Sequence, residues 1–417
     1  MNNRILVFVI IFIFLFAINV ISINVHATTI SIYQIPVKIT NSQNVSTPNP
    51  FQEEIYLNIN VLDSGYNINI IYNSSSNFAN FEFVYANGQV VPSWIESNNS
   101  GTLLIWVKLP SIQAFGSIII YLDVFPSNFN LLSSSGIYGI GENPLLSKNY
   151  AEYDDGSSVF DFYDNFDGSG LNSNKWVYGG SGSIIVDNGI IMKDAGTIYV
   201  ITAFGFNPQN TIFDVMPVTN FPIGDNNFGV ISMTNGNSGN SSGYFWFFGN
   251  EFYTYGIGSY SGSLSTTNVG AQINPGEIGS ESWQSENLQD YMINYGYHNE
   301  SFSSYPLPSQ VYYGFGIRFY ESNEYLNVSW ARVRAYPPND VMPYVSFGVV
   351  ASVSYSENNL TTNNTKTYTF NSTSGNLQFN NQYFLFDIDP LFLIYFVIFI
   401  FVIFSIFMAI ASVRRHR

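Results

Sequence analysis

The sequence predicts an all-β protein: two β-sandwich (jelly-roll-like) ectodomains followed by one C-terminal transmembrane helix. Three observations carry this. Short runs of alternating apolar and polar residues recur from residue 30 to 336, separated by turns rich in Gly, Asn and Ser. No segment between 28 and 386 shows a sustained helical period with caps. Both ends of the chain, by contrast, are long apolar runs.

The N-terminal run, residues 5–23, follows a single cation, Arg4, and Val25 and Ala27 supply the small-residue pattern of a cleavage site. Residues 1–27 therefore read as a signal peptide. Residues 28–126 form the first expected β-unit. Strands are expected at 30–40, 54–62 (IYLNINV at its centre), 80–85, 90–96, 102–109 and 117–124, with Asn87-Gly88 as a hairpin turn. A composition shift over 127–158 shows no clear strand and reads as a junction. The second unit, 159–352, has expected strands at 183–186, 190–193, 198–204, 212–215, 243–248, 252–255, 312–319 and 326–336. A Ser/Thr/Asn-rich stalk (353–390) then leads to an uncharged run at 391–412, long enough to cross a bilayer. The cations in 413–417 mark the cytoplasmic side, so the expected location is the cell membrane, single-pass, with the ectodomain outside.

Cysteine is absent, so a secreted domain of this kind must be stabilised by its own packing. Residues 28–386 hold 27 acidic side chains against 9 Lys/Arg, a net of −18. That field repels phosphate backbones and argues against nucleic acid as a partner. Charged residues are nonetheless only 10% of the chain, leaving the polar surface to amides and hydroxyls. Nine sequons, at Asn44, Asn73, Asn98, Asn240, Asn299, Asn327, Asn359, Asn363 and Asn371, point to a glycosylated surface. Such a surface stays solvated when carboxylates are protonated, and exposure to acid is an expectation.

NSQNVSTPNPFQEEI (41–55), FEFVYANGQVVPSWIES (81–97) and LLIWVKLPSI (103–112) resemble the DUF2341 domain, an extracellular β-domain common in archaeal surface proteins. NPLLSKNYAEYDDGSSVFDFYDNFDGSGLNSNKW (143–176) resembles the junction that precedes a concanavalin A-like lectin/glucanase (LamG-like) sandwich. VRAYPPNDVMPYVSFG (333–348) resembles the end of that unit. The resemblance implies an architecture and no single activity, since the second fold serves lectins, hydrolases and structural modules alike. It implies that Phe166 points inward on the first strand and that Leu171 and Trp176 anchor the return. It also permits a structural Ca²⁺.

Catalysis finds little support. The E-x-D-x-x-E spacing of glucanases with this fold is absent. Glu321 and Glu324 lie in an expected turn, and Asp154 and Asp155 in an expected solvated turn. His26 and His416 fall in the terminal segments, which leaves His298 alone in the ectodomain. A His/Cys zinc site and a Cys–His pair are thereby excluded. The expectation is a non-enzyme with no required cofactor. Asp161, Asp164, Asn165 and Asp167 supply hard oxygen ligands within seven residues, and Ca²⁺ is the ion they suit, with plain turn chemistry as the other reading.

Sugar recognition needs aromatic faces beside amide and carboxylate groups. In GYFWFFGNEFYTYG, placing Phe245 and Phe247 inward sends Tyr244, Trp246 and Phe248 outward as a platform, with Trp283 beyond. The alternative is that both faces of that sheet are covered. Trp106 shares a face with Leu104 and reads as core, and Trp94 reads either way. The expected function is a membrane-anchored surface glycoprotein for non-catalytic recognition or adhesion, with extracellular glycans or surface proteins as partners. A self-associating envelope or virion component and a surface glycoside hydrolase with a non-standard carboxylate pair are the alternatives.

Overall fold

The structure, a computed structural model, describes residues 29–356 and 367–369 except for 60–77, 127, 134–135, 138, 194–195, 219–227, 250–253, 269–272, 274–275, 286–287, 294–295, 301–305 and 319–324. Two units emerge. One joins Met1–Thr29 with Ser356–Arg417, of which the last described piece is the short strand Thr367–Thr369. The other, Ile30–Tyr355, holds two sandwiches. Among the described residues no helix is long and apolar enough to cross a membrane. The apolar runs 5–23 and 391–412 lie outside the described residues.

The first sandwich pairs two sheets. One runs β26 (Ala351–Ser356), β1 (Thr29–Thr40), β6 (Ser117–Val124), β3 (Phe81–Val84), with β25 (Tyr344–Phe347) also on β1. The other runs β2 (Phe51–Asn58), β5 (Thr102–Leu109), β4 (Ser93–Asn99), β9 (Gly141–Glu142). Alternation explains the core: Ile35, Val37 and Ile39 of β1 meet Ile55 and Leu57 of β2 and Leu103, Ile105 and Val107 of β5. Trp106, between those positions, is sent to the opposite face of its sheet. The Asn87-Gly88 turn forms as expected, with Gly88 at φ 83° and Tyr85 accepting from its N–H. The stretch 127–158 does carry strands: a two-residue ladder of β7 (Leu132–Ser133) on β8 (Gly136–Ile137), and β9 in parallel with β4. A single helical turn, α1 (Gly156–Val159), follows.

The second sandwich has a larger core. One sheet runs β12 (Ser183–Val186), β13 (Ile190–Lys193), β24 (Tyr325–Ala335), β15 (Thr211–Pro217), β20 (Gly279–Ser285), β21 (Leu288–Ile293), β22 (Gly296–Glu300), with β10 (Phe162–Asp164) also on β24. The other runs β11 (Trp176–Gly180), β14 (Thr197–Thr202), β23 (Tyr312–Arg318), β16 (Phe228–Thr234), β17 (Gly243–Gly249), β18 (Thr254–Gly258), β19 (Leu264–Asn268). The core between them includes Phe166, Trp176, Phe213, Ile231, Trp246, Trp283 and Phe315.

A bulge in β24 decides how the two sandwiches meet. Its register against β15 shifts between Met216 and Pro217, where Met216 opposes Trp330 and Pro217 opposes Val328. The extra residue inverts the alternation. Leu326 and Val328 face the sandwich core before it, and Ala331 and Val333 after it. Trp330, Arg332 and Arg334 therefore turn to the outer face, toward the first sandwich. There Trp94, Trp106, Val159, Phe160, Tyr163, Ile278 and Trp330 make a third apolar cluster.

Arg332 lies at the centre of this seam, fully buried. Its Nη2 is 2.7 Å from Glu96 Oε2 of the first sandwich, and its Nε is 2.8 Å from Asp214 Oδ2 of the second. Arg334 Nε reaches the same Asp214 oxygen at 2.8 Å, and Trp106 Nε1 donates to Glu96 Oε2 at 2.7 Å. The guanidinium of Arg332 stands 4.4 Å from the Phe160 ring centre, 4.7 Å from Trp106, 4.8 Å from Trp330 and 5.4 Å from Trp94. Gln52 adds a backbone link by accepting from Ala335 N–H at 2.7 Å.

A charge buried this deeply is costly to leave unpaired. Arg332→Met is expected to lower unfolding stability by about 3–5 kcal/mol, with Glu96 and Asp214 left partly uncompensated. Lys38→Met, at an exposed position, is expected to stay within about 0.5 kcal/mol of wild type in the same urea titration.

Candidate functional site

The aromatic platform does not face outward. Tyr244, Trp246 and Trp283 are all 0% exposed, and all three belong to the core between the sheets of the second sandwich. Tyr244 packs edge-on against Trp283 with ring centres 4.7 Å apart. The alternation along β17 is real but its sense is reversed. Phe245 and Phe247 take the outer face, where Tyr260 covers them and stacks on Tyr199 at 4.6 Å. Both faces of the sheet are filled, so the side chains proposed for stacking on sugar are packing residues. Phe248 shares the strand, and its side chain lies outside the described residues.

The acidic loop is equally occupied, and the residues present do not fit a calcium ion. Asp164 Oδ2 accepts from Trp176 Nε1 at 2.7 Å and Asp164 Oδ1 from the Phe166 N–H at 3.1 Å, while Lys175 Nζ lies 3.7 Å from Oδ1. Asp161 and Asp167 are exposed, and Asn165 instead donates to Asp154 at 2.7 Å. Among the described residues no group of three acidic or histidine side chains converges. Phe166 and Trp176 are buried and Leu171 packs against the same core, so this segment closes a strand and a turn.

Asp154 is the largest departure from expectation. It sits in no solvated turn but at a hub: Oδ1 accepts from Trp94 Nε1 at 2.7 Å and Gly156 N–H at 3.1 Å, and Oδ2 from Tyr163 Oη at 2.8 Å and Asn165 Nδ2 at 2.7 Å. Burial pushes its pKa up to about 6, in spite of these donors. Gly156 is required here, because a Cβ would lie 2.5 Å from the Tyr163 ring. Asp155 bonds to Ser158, and its carboxyl is likewise raised by burial. Trp94 and Trp106 both join the seam, which answers the open reading of Trp94.

Further carboxyls are hidden. Glu53 and Glu281 are fully buried, and burial raises both well above the ordinary range. Glu281 pairs across β15 with Phe213 and so faces the core of the second sandwich. Asp214 goes the other way: burial would raise it, but Arg334 and Arg332 outweigh this and hold it low. Glu96 and Asp214 share one buried guanidinium and are closed to substrate.

One groove opens on the surface beside the seam. Its volume is about 300 Å³, and Glu54, Tyr56, Met342, Pro343, Tyr344 and Phe347 line it. Edge strand β2 supplies Glu54 and Tyr56, and β25 supplies Tyr344 and Phe347. Tyr56 is 55% and Tyr344 70% exposed. Glu54 is half-buried, on the face of β2 that opposes Trp106, and its carboxyl is raised by burial against the pull of Arg334. Burial and Glu54 push the Tyr56 hydroxyl up to about 12, so it stays a donor. The sequence signal for this site was weak, since QEEIYLN and PYVSF are 285 or more residues apart in the chain and look like ordinary strands.

Of the sequons, Asn44, Asn98 and Asn240 are exposed and Asn327 is half-buried. Asn73, Asn359, Asn363, Asn371, Glu321 and Glu324 and the side chains of His298 and Asn299 lie outside the described residues.

No protein-family model matches the chain. It is 31% identical over 357 residues to Uncharacterized protein 562 of Sulfolobus islandicus rod-shaped virus 1. That match takes in 75% of this chain, which spans 58% of the relative's length. Among solved structures, it is similar to a Bacillus licheniformis β-glucanase (10% identity, 42% of this chain and 97% of that one, TM-score 0.31). A β-1,3-glucanase from Mycobacterium marinum matches at 13% identity, 42% and 98% coverage and a TM-score of 0.30. The catalytic domain of a Thermotoga petrophila laminarinase matches at 11% identity, 42% and 96% coverage and a TM-score of 0.31.

Stability should rise toward mild acid. Asp154 has an ordinary value of 3.8 and about 6 in the fold, so between these values the folded state binds more protons than the unfolded one. Glu53, Glu54, Glu142 and Glu281 act in the same direction. Asp214, held low, contributes stability that is lost only as pH falls through its lowered value. The thermal midpoint of residues 28–386 is therefore expected to be higher near pH 5 than near pH 7.5, by calorimetry; a midpoint that falls on acidification from pH 7.5 to pH 5 contradicts the assignment. Adding EDTA is expected to leave that midpoint unchanged, and a clear drop would restore a bound ion.

Proposed function

We propose that this chain is a membrane-anchored surface glycoprotein whose two sandwiches form the outward head of a non-catalytic recognition or adhesion protein, with glycans as the favoured partners. The apolar run at 391–412 would anchor it, and the Ser/Thr/Asn-rich stretch expected at 353–390, whose first residues belong to strand β26, would serve beyond Ser356 as a glycosylated stalk. The observation that carries the reading is the open groove beside the seam, where two exposed tyrosines stand with a carboxyl on a surface otherwise dominated by amides and hydroxyls. Exposed aromatic faces next to polar acceptors suit sugar rings. The resemblance of the two units to DUF2341 and concanavalin A-like modules belongs to the same reading.

A structural role in a virion or envelope is the second reading, and the viral relative favours it. Its partners would be further copies of the chain. A surface glycosidase is a weaker alternative, because the buried carboxylates Glu96 and Asp214 are tied up by Arg332.

A glycan array probed with residues 28–386 at neutral and acid pH separates these readings. Selective binding of a glycan class is expected. Absence of binding at either pH, together with concentration-dependent self-association in sedimentation, would favour the structural role.

A further inference from the structure

We infer that the groove between β2 and β25 is a saccharide site, in which Tyr56 and Tyr344 present their rings to the C–H faces of a neutral sugar and Glu54 holds its hydroxyls. This rests on the recognition reading above and places it on the first sandwich, away from the aromatic strand β17.

Three features of the groove select this ligand class. The first is the exposure of its aromatics. Phe245, Phe247 and Trp246 are packed away, whereas Tyr56 and Tyr344 leave more than half of their surface to solvent on a fold that buries its other large aromatic clusters. An exposed ring face lined by Met342, Pro343 and Phe347 suits an apolar C–H surface with hydroxyls at its rim. The second is Glu54. Among the described residues its carboxyl accepts no hydrogen bond, while its neighbours on the same face of the seam are tightly paired. It is held half-buried at the wall of the groove, with acceptor capacity that a hydroxyl would fill.

The third is the local charge balance. A bare aromatic–carboxylate groove would also suit an alkylammonium group. Here Arg334 and Arg332 act on Glu54 from the seam, and burial favours its neutral form. Both weaken the pull on a cation, while a neutral carboxyl still offers a polyol one acceptor and one O–H donor. The Tyr56 hydroxyl, kept protonated, adds a donor. The volume of about 300 Å³ is at the small end of ligand sites, ~300–1,000 Å³, which suits the end of a glycan rather than a long polymer run.

The test uses residues 1–417 in a detergent without a sugar headgroup, on a glycan array with choline- and oligolysine-coated spots alongside. Wild type, Tyr56→Ala, Tyr344→Ala, Tyr344→Phe and Glu54→Gln are compared, with thermal midpoints measured for each. Wild type is expected to bind a set of neutral glycans. Tyr56→Ala and Tyr344→Ala are expected to lose about tenfold or more in affinity, with Tyr344→Phe retaining most of it and midpoints unchanged. If wild type binds glycans and the alanine variants bind equally well, this site is wrong while the recognition reading stands. If wild type prefers the cationic spots, the ligand class is wrong. If it binds no glycan, the site and the recognition reading fall together.

Discussion

Everything in the two described sandwiches turns on one buried guanidinium. Arg332 is enclosed on all sides, and burying an ion without partners is among the largest penalties a fold can carry. Its two carboxylates come from different sandwiches, Glu96 from the first and Asp214 from the second. Four aromatic rings complete the enclosure. Separating the sandwiches would leave a cation, two anions and a cluster of Trp and Phe surface to be rehydrated at once. A polar cluster that is satisfied only when both halves are in place specifies one docking geometry more sharply than apolar contact alone.

The rest of the seam follows from this centre. The bulge in β24 turns Trp330, Arg332 and Arg334 outward. Asp154 ties Trp94 of the first sandwich to Tyr163 and Asn165 beside the second. Gly156 lets the chain pass flat against the Tyr163 ring. The groove inherits its position from the same arrangement: Glu54 lies on the β2 face that opposes Trp106, and Met342 packs at the margin of the seam cluster. The many raised carboxyls give the two sandwiches a common chemical bias, since each is easier to bury as the neutral acid than as the anion.

Much of the β-architecture was legible because alternation and turn residues are local signals. Strands β1, β3, β5 and β6 and the Asn87-Gly88 turn lie close to where the pattern placed them, although β3 pairs with β6 and β4 with β5 rather than with each other. The burial of Phe166 and Trp176 in the YDNFDGSGLNSNKW segment was implied by the family resemblance and not by alternation. Strands such as β20 (GSESWQS) and β22 (GYHNE) were not legible, because their Gly and Ser content reads as turn while the sheet around them supplies the order. The platform failed for another reason. Alternation tells which residues share a face and not which face meets the other sheet, and in β17 both are covered.

The seam could not be read from local pattern at all, because Glu96 and Arg332 are 236 positions apart. The one available hint was WARVRAY, in which two arginines alternate with apolar residues on a strand and so require buried partners. Asp154 was missed because two adjacent aspartates before a glycine read as an exposed turn, although Trp94 and Tyr163 fold over it.

The most direct measurement of the central idea is differential scanning calorimetry of residues 28–386, comparing calorimetric with van't Hoff enthalpy. If the Arg332 seam makes the two sandwiches one cooperative unit, a single transition with equal enthalpies appears. Two resolved transitions, or a van't Hoff enthalpy near half the calorimetric value, would show that the sandwiches unfold independently and that the seam does not bind them.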